Sequence, residues 1–488
     1  MQQDTFDHGT FLSVWTWRYG SDEMRRIWSE ENNRLIWRRI WVALAEAQMA
    51  AGLVTQAEVD DLKAHADQVN IARAHQIERD TRHDVMAEIH TYAEQAPVGG
   101  GKIHLGATST DVEDNADALR IKEALALIEQ KLVTVLRLLA DQIDRYRDTV
   151  TMAYTHLQPA EPTTIGYRLA MYAQDLLLDL HQLRFVAGHV RAKGIKGAVG
   201  TAASYELLLE GRVMSPDALE AAVMGAIGME AFPITGQTYP RKLDLLVTNV
   251  LASIAQSLYR FAFDVRVQQS PGFGEMAEPF GSQQVGSSAM PFKRNPRTTE
   301  RICSLGRYVM GLPAIAAANA AHSLLERTLD DSAARRVFLP EGFLGTEDML
   351  MLTAHVLQGL VVDEAAIERN LDSYGLFAAT EVLLLNWVRV HGFSRQEVHE
   401  MVRSAAMEAW QAVKSGRPNP LIELLAIAGH RSGKVPGSLD DVRAEVSQLL
   451  HVGAHIGTAP QRAAHLAVTI RDTVGSTTTE SVQEAPRL

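Results

Sequence analysis

Residues 241–269, RKLDLLVTNVLASIAQSLYRFAFDVRVQQ, contain neither glycine nor proline. At 1.5 Å per residue such a run makes a helix roughly 43 Å long. Leu243, Leu246, Val247, Val250, Leu251, Ile254 and Leu258 recur at three- and four-residue steps, the apolar stripe of a bundle helix. The run ends in a different kind of sequence, GFGEMAEPFGSQQVGSSAMPFKRNPRTTER (272–301), which gathers glycines, prolines and hydroxyls before Lys293, Arg294 and Asn295. Helical periodicity then resumes through Ile302, Leu305 and Val309, with Asn295 placed to cap and Pro296 suited to the first helical position. A loop delivered onto a helix N-terminus, with Lys293 beside it, favours an anion.

The same grammar extends in both directions. Upstream, Glu113 to Gln158 is again free of Gly and Pro. It follows a GGG loop and Thr110-x-x-Glu113, the pattern of a capping box. Thr108, Ser109 and Thr110 therefore sit at a helix start, as simple caps or as a seat for phosphate or carboxylate. Two prolines in YTHLQPAEPTTIG (154–166) stop one helix and launch another, leaving His156 in the interruption. Downstream of Pro296 a second long helical pattern breaks near His322–Arg336, where Arg327, Arg335 and Arg336 surround Asp330, Asp331 and Ser332. Five of the seven tryptophans fall between Trp15 and Trp41, at a spacing that reads as a buried helix. Ser394-x-x-Glu397 opens a further helix in the last third.

No strand-rich block and no solenoid repeat appears, so the fold class is all-α. Three helical domains are expected around a central bundle of long helices: 1–109, 110–362 and 363–475. The polar tail 476–488 is expected to be disordered.

With 488 residues, 46% of them hydrophobic, the chain can bury a large core. A formal charge of −12 argues against general nucleic-acid binding. The single Cys303 excludes an internal disulfide and a thiolate-rich zinc site, and fits a reducing compartment. His83 with Glu88 or His90 lacks the helical spacing of a ligand pair, so no metal is expected. The start of the chain shows no signal-peptide pattern, and no apolar run approaches the ~20 residues of a membrane span. A cytoplasmic protein is expected. What the residues alone reach is an all-α enzyme or binding protein for a polyanion, without a P-loop or a dinucleotide fingerprint.

Seven segments carry a resemblance further. RHDVMAEIH, HLGATSTD, THLQPAEPTT, KGIKGAVGT, TGQTYPRK, SSAMPFKRNP and ERTLDDSAARR are similar, in this order, to segments of the adenylosuccinate lyase family within the fumarase/aspartase superfamily. The resemblance implies a fumarase/aspartase-like fold and a C–N elimination that releases fumarate from a succinylated purine nucleotide. It implies Ser287 as general base and Lys293, with the adjoining helix start, as stabiliser of the dianion. His156 is implied as general acid, oriented by Glu300. Substrate binding falls by the same resemblance to Arg18, Tyr19, Arg82, His83, Asp84, Thr108, Ser109, Gln237, Asn295, Arg301, Arg327, Ser332 and Arg336. No cofactor or metal is implied. The implied assembly is a homotetramer with shared active sites, and no nucleic acid or membrane is a partner. Other readings are another superfamily lyase, a cycloisomerase, or a non-catalytic helical scaffold.

Overall fold

The computed structural model describes residues 9–475; the expected tail 476–488 lies outside the described residues. An N-terminal layer comprises α1 (Asp22–Ile27), α2 (Glu30–Ala50), α3 (Gln56–His65), α4 (Ile71–Thr81) and α5 (Asp84–Gln95). The long helix α6 (Thr110–Tyr146) leads into a ribbon of β1 (Val150–Thr155) and β2 (Gln158–Thr164), then α7 (Ile165–Ala187). After the short α8 (Ala203–Leu208) and α9 (Pro216–Ile227) come the three further bundle helices α10 (Lys242–Gln269), α11 (Arg297–Ala321) and α12 (Ser332–Gln358). A two-residue ribbon pairs β3 (Met276–Ala277) with β4 (Val361–Val362). The rest is α13 (Glu364–Ala378), α14 (Thr380–His391), α15 (Arg395–Lys414), α16 (Leu421–Ser432), α17 (Leu439–Leu449) and α18 (Ala459–Val474).

The apolar stripe read from 241–269 is the buried face of α10: Val247, Ile254 and Leu258 are fully inaccessible. Each such side chain contributes about 1.5–3 kcal/mol by leaving water. Around it α6, α7, α11 and α12 build one core, which the tryptophan-rich α2 joins through Trp37 and Trp41. A second core, from Ala379 to Leu450, is formed by α14–α17. The chain then returns: Ala463, Ala467, Ile470 and Val474 of α18 lie in the first core, where α18 packs on α6 and α7. The Ser394–Glu397 capping box is present, with Glu397 N bonded to Ser394 Oγ and Ser394 N to Glu397.

Three local expectations are corrected. The helix expected to run toward Gln158 ends at Tyr146, and 150–164 is a β-hairpin whose register pairs Thr155 with Gln158. The Thr110–Glu113 capping box does not form. Ser109 already has helical φ and ψ, the Thr110 hydroxyl donates to Gln237 O at 2.5 Å, and the Thr108 amide is taken by Asp111. Finally, Asn295 does not cap α11. Pro296 occupies that position, and the Asn295 amide reaches back to Gly286 O at 2.8 Å.

Bundle faces remain uncovered. Met171, Leu178 and Phe185 stand seven residues apart on α7, 41%, 55% and 63% exposed, and Tyr308 and Ile315 repeat that spacing on α11. Apolar stripes of this kind mark a contact surface.

Candidate active site

The starts of α5, α6 and α12 converge on one cavity of about 390 Å³. Asp84, the first residue of α5, accepts from Arg336 of α12 at 2.7 Å. His83 caps α5, its Nδ1 accepting from Met86 N, and Arg82 holds a left-handed conformation (φ 54°) that turns the chain from α4 into α5. The loop bearing Gln237 is clasped between Thr110 and Glu326: Gln237 N donates to Glu326 O at 2.9 Å, and Gly236 lies so close to the Glu326 backbone that a Cβ would stand 2.7 Å from its carbonyl. Ser332 opens α12 and Arg327 bonds Asp331, both on the cavity wall. Beneath lie buried charges: Arg241 between Asp114 and Asp331, and Arg335 on Asp244 and Asp117. Each buried arginine is met by carboxylates, as burial demands. Arg336 differs: it lines the cavity with its side chain 64% exposed.

The Thr108–Thr110 turn is held from behind. Asp111 is fully buried and takes Lys193 Nζ together with the amides of Thr108, Lys196 and Gly197. The segment KGIKGAVG thereby fixes the helix start that carries Thr108 and Ser109.

A second cluster joins the N-terminal turn at Tyr19 to the bundle helices α11 and α12. The Arg301 guanidinium lies 4.3 Å above the Tyr19 ring and bonds both oxygens of Asp348 at 2.7 and 2.8 Å. Asp348 also accepts from Gly20 N, which holds the Arg18–Tyr19 turn against the bundle. Arg18 stacks near Trp17.

The loop 279–296 is closed at its base. Asn295 bonds Gly286 O, Lys293 N bonds Met290 O at 3.0 Å, and a Cβ on Gly286 would stand 1.9 Å from Lys293 O. Within it the Ser287 hydroxyl oxygen accepts from Met290 N at 3.0 Å and Ala289 N at 3.3 Å. Two amides aimed at one oxygen favour negative charge there. Lys293 is exposed.

The start of α11 overturns an expectation. Its N-terminal amides are not open to a ligand, because the buried Glu278 carboxylate accepts from Thr298 N (3.0 Å), Thr299 N (2.8 Å) and Thr299 Oγ1 (2.9 Å). Arg297 N and Glu300 N are satisfied by Asn295 O and Pro296 O. The anion that this helix start attracts is the protein's own.

His156 occupies the tip of the hairpin, exposed, with φ 53°, and Leu157 follows at φ 59°. Two consecutive side-chain-bearing residues in the left-handed region cost about 1–2 kcal/mol each. Such strain persists where surrounding structure enforces it. Here the two-residue turn that pairs Thr155 with Gln158 requires it, and the base of the hairpin is anchored by the buried Glu275, accepting from Thr151, Arg168 and Asn370, while Tyr154 packs edge-on against Phe273 at 4.8 Å. The hairpin is thus tied to the first residues of the Ser287 loop. Glu300 stands 3.9 Å from Arg266 of α10. Among the described residues of one chain, no hydrogen bond joins His156 to Ser287, Lys293 or Glu300.

One chain therefore assembles three patches: the Arg336 cavity, the Tyr19–Arg301 stack, and the Ser287–Lys293 loop with its neighbouring hairpin. Sequence reasoning missed the structural roles of Glu275 and Glu278, two buried carboxylates three residues apart in an otherwise glycine-rich loop. It also read Glu113 as a cap. Its carboxyl instead enters the cavity, 3.7 Å from Arg336, where burial and the nearby Asp84, Asp114 and Asp117 push it up to about 7. Among the described residues no cluster of His, Cys, Asp and Glu is arranged to hold a metal ion.

Known proteins resemble this arrangement throughout. Residues 17–311 match the lyase family model, and residues 375–465 match the model of the adenylosuccinate lyase C-terminus. The chain is 40% identical to the adenylosuccinate lyase of Schistosoma mansoni over 84% of its own length and 86% of the relative's. It is 38% identical to that of Schizosaccharomyces pombe over 93% and 94%. Among solved structures it superposes on the 3-carboxy-cis,cis-muconate lactonizing enzyme of Pseudomonas putida with a TM-score of 0.82 at 23% identity, covering 95% of this chain and 99% of that one, a likeness of fold. With both family models matched along one chain and relatives this similar over nearly its whole length, the chain belongs to the adenylosuccinate lyase family.

Proposed function

We propose that this protein eliminates fumarate from adenylosuccinate, leaving AMP, and from succinylaminoimidazole carboxamide ribotide by the same step. The observation that carries the reading is the Ser287 loop, in which two backbone amides point at the hydroxyl that is to act as base. The proton to be removed lies on the succinyl carbon next to a carboxylate. Ser287 acts as the alkoxide that the two amides favour; as the proton passes to its Oγ and restores the hydroxyl, a second negative charge develops on that carboxylate, and Lys293 is the ammonium in the same closed loop that holds it. The C–N bond then breaks, its electron pair goes to nitrogen, and His156 supplies the proton that nitrogen needs. One proton is taken from carbon and one is given to nitrogen, so the step is redox-neutral and fumarate and the nucleotide both leave as anions.

Arg327, Ser332 and Arg336 with Asp84, His83, Arg82, Thr108, Ser109 and Gln237 form the anion-binding wall. Arg18, Tyr19 and Arg301 supply a stacking face and a guanidinium, and Asn295 keeps the loop closed. The complete site is proposed to be built from several copies in a homotetramer, a reading supported by the absence, among the described residues of one chain, of any hydrogen bond from His156 to Ser287, Lys293 or Glu300. The uncovered stripes on α7 and α11 support that assembly. Within it, Glu300 of one subunit orients His156 of another. No helix among the described residues is long and apolar enough to cross a membrane. A cytoplasmic place of action is proposed, in keeping with a single cysteine suited to a reducing compartment.

The test is fumarate release from adenylosuccinate, followed by absorbance, with argininosuccinate and carboxymuconate as competing substrates. Cleavage of adenylosuccinate alone is expected, and turnover of either other substrate in its place would overturn the reading. Ser287→Ala is expected to bind AMP normally with turnover reduced by at least about a thousandfold, the scale of losing general-base catalysis. Retained turnover would remove Ser287 from that role.

A further inference from the structure

We propose that Glu113 is a further substrate-binding residue of this site: standing 3.7 Å from Arg336 on the cavity wall, its carboxylic acid donates a hydrogen bond to the phosphate or carboxylate oxygen that Arg336 holds. The inference rests on the reading of this cavity as the substrate site.

Three observations combine. First, the buried cations of this wall are already committed: Arg241 and Arg335 lie against Asp114, Asp117, Asp244 and Asp331. Arg336 alone of these is more than half exposed, and it keeps donors for a ligand while bonding Asp84. Second, an ionised Glu113 would put a second carboxylate within 4 Å of that guanidinium and cancel the attraction it offers to an anion. Third, the neighbourhood keeps the proton on. The charged groups that share the cavity are Asp84 of α5, Asp114, Asp117 and Arg120 of α6, Arg335 and Arg336 of α12, and Arg241 and Arg327 beside them. On the α2–α4 side stand Glu30, Arg34, His75 and Glu78. Burial and the three aspartates outweigh Arg336, holding the carboxyl at about 7, so a large protonated fraction survives at neutral pH.

A protonated carboxyl beside an arginine recognises an oxyanion twice over, by hydrogen bond and by charge. An arriving anion stabilises the protonated form further, so binding above neutrality takes up a proton.

The experiment is calorimetry of the full-length protein at pH 7.5, titrated with AMP and separately with fumarate, in buffers of different ionisation enthalpy. The ligand that seats on Arg336 is expected to bind with net proton uptake, drawn from the ionised fraction of Glu113 at that pH. Uptake with AMP identifies a phosphate, and uptake with fumarate a carboxylate. Glu113→Gln keeps a neutral donor and is expected to bind that ligand within about threefold of the wild type, with the uptake abolished and the affinity no longer falling between pH 6.5 and 8.5. Glu113→Ala is expected to lose both the donor and the uptake, binding at least about fivefold more weakly at pH 6.5. Uptake unchanged in Glu113→Gln, or none in the wild type with either bound ligand, overturns the inference. Failure of both AMP and fumarate to bind the wild type overturns instead the assignment of the cavity to substrate.

Discussion

Replacing Glu278 by Gln should loosen the start of α11 without unfolding the protein. The carboxylate accepts three hydrogen bonds there, two from backbone amides and one from the Thr299 hydroxyl, all in a buried setting. Hydrogen bonds to a charged acceptor contribute about 1.5–3 kcal/mol each, and the helix dipole strengthens an anion at this end. Glutamine retains one oxygen for an amide but turns an NH2 toward another donor, so roughly one such bond and the dipole contribution are lost. A local loss of about 2–3 kcal/mol corresponds to about 30- to 150-fold faster opening, at a factor of ten per 1.4 kcal/mol. Hydrogen exchange read by mass spectrometry is the assay. Peptides covering 296–302 should lose protection by that factor, and those of the α14–α17 core should not change. Because the same clasp forms one edge of the Ser287 loop, kcat should fall more than KM rises. Unchanged protection at Thr298 and Thr299, or an equal loss in the 379–450 core, would refute the capping argument.

Two further outcomes follow from the geometry. Gly286→Ala places a methyl against Lys293 O, so the loop must open; turnover is expected to drop at least about a hundredfold while the melting temperature, measured by calorimetry, stays within a degree or two. His104 accepts a hydrogen bond from Trp41 Nε1 at 3.0 Å, and burial pushes its ring down to about 4. Its folded value lies below the ordinary one, so the unfolded chain binds the extra proton: this contribution to stability is full above about 6.5 and is lost as pH falls toward 4. Urea unfolding followed by tryptophan fluorescence should show a midpoint that declines over this window, and a shallower decline in His104→Asn, whose side-chain oxygen still accepts from the indole.

The long helices were legible because their evidence is local. An unbroken apolar stripe without Gly or Pro is enough to specify α10, and Ser394 with Glu397 is enough to start α15. The hairpin was not, although Val150 and Thr151 are β-branched. Its turn is made by His156 and Leu157 at positive φ, where an Asn-Gly pair would have announced it. The failed box at Thr110 and the filled N-terminus of α11 share a cause: each is decided by a residue from elsewhere, Gln237 in one case and Glu278, twenty positions upstream, in the other. Spacing rules see only the helix itself. At the site, the sequence supplied the polar loops and the family resemblance supplied their roles. The gathering of Asp84, Ser332 and Arg336 around one cavity is tertiary, as is the placement of Glu113 among them.

The return of α18 to the first core has a consequence for biogenesis. Four of its side chains fill a groove between α6 and α7, helices that leave the ribosome more than two hundred residues earlier. During synthesis that groove stays open, with Leu and Ile side chains bare, while the α14–α17 unit is being translated and can already condense on its own. The nascent bundle therefore keeps that apolar groove in water until its final helix arrives to seal it.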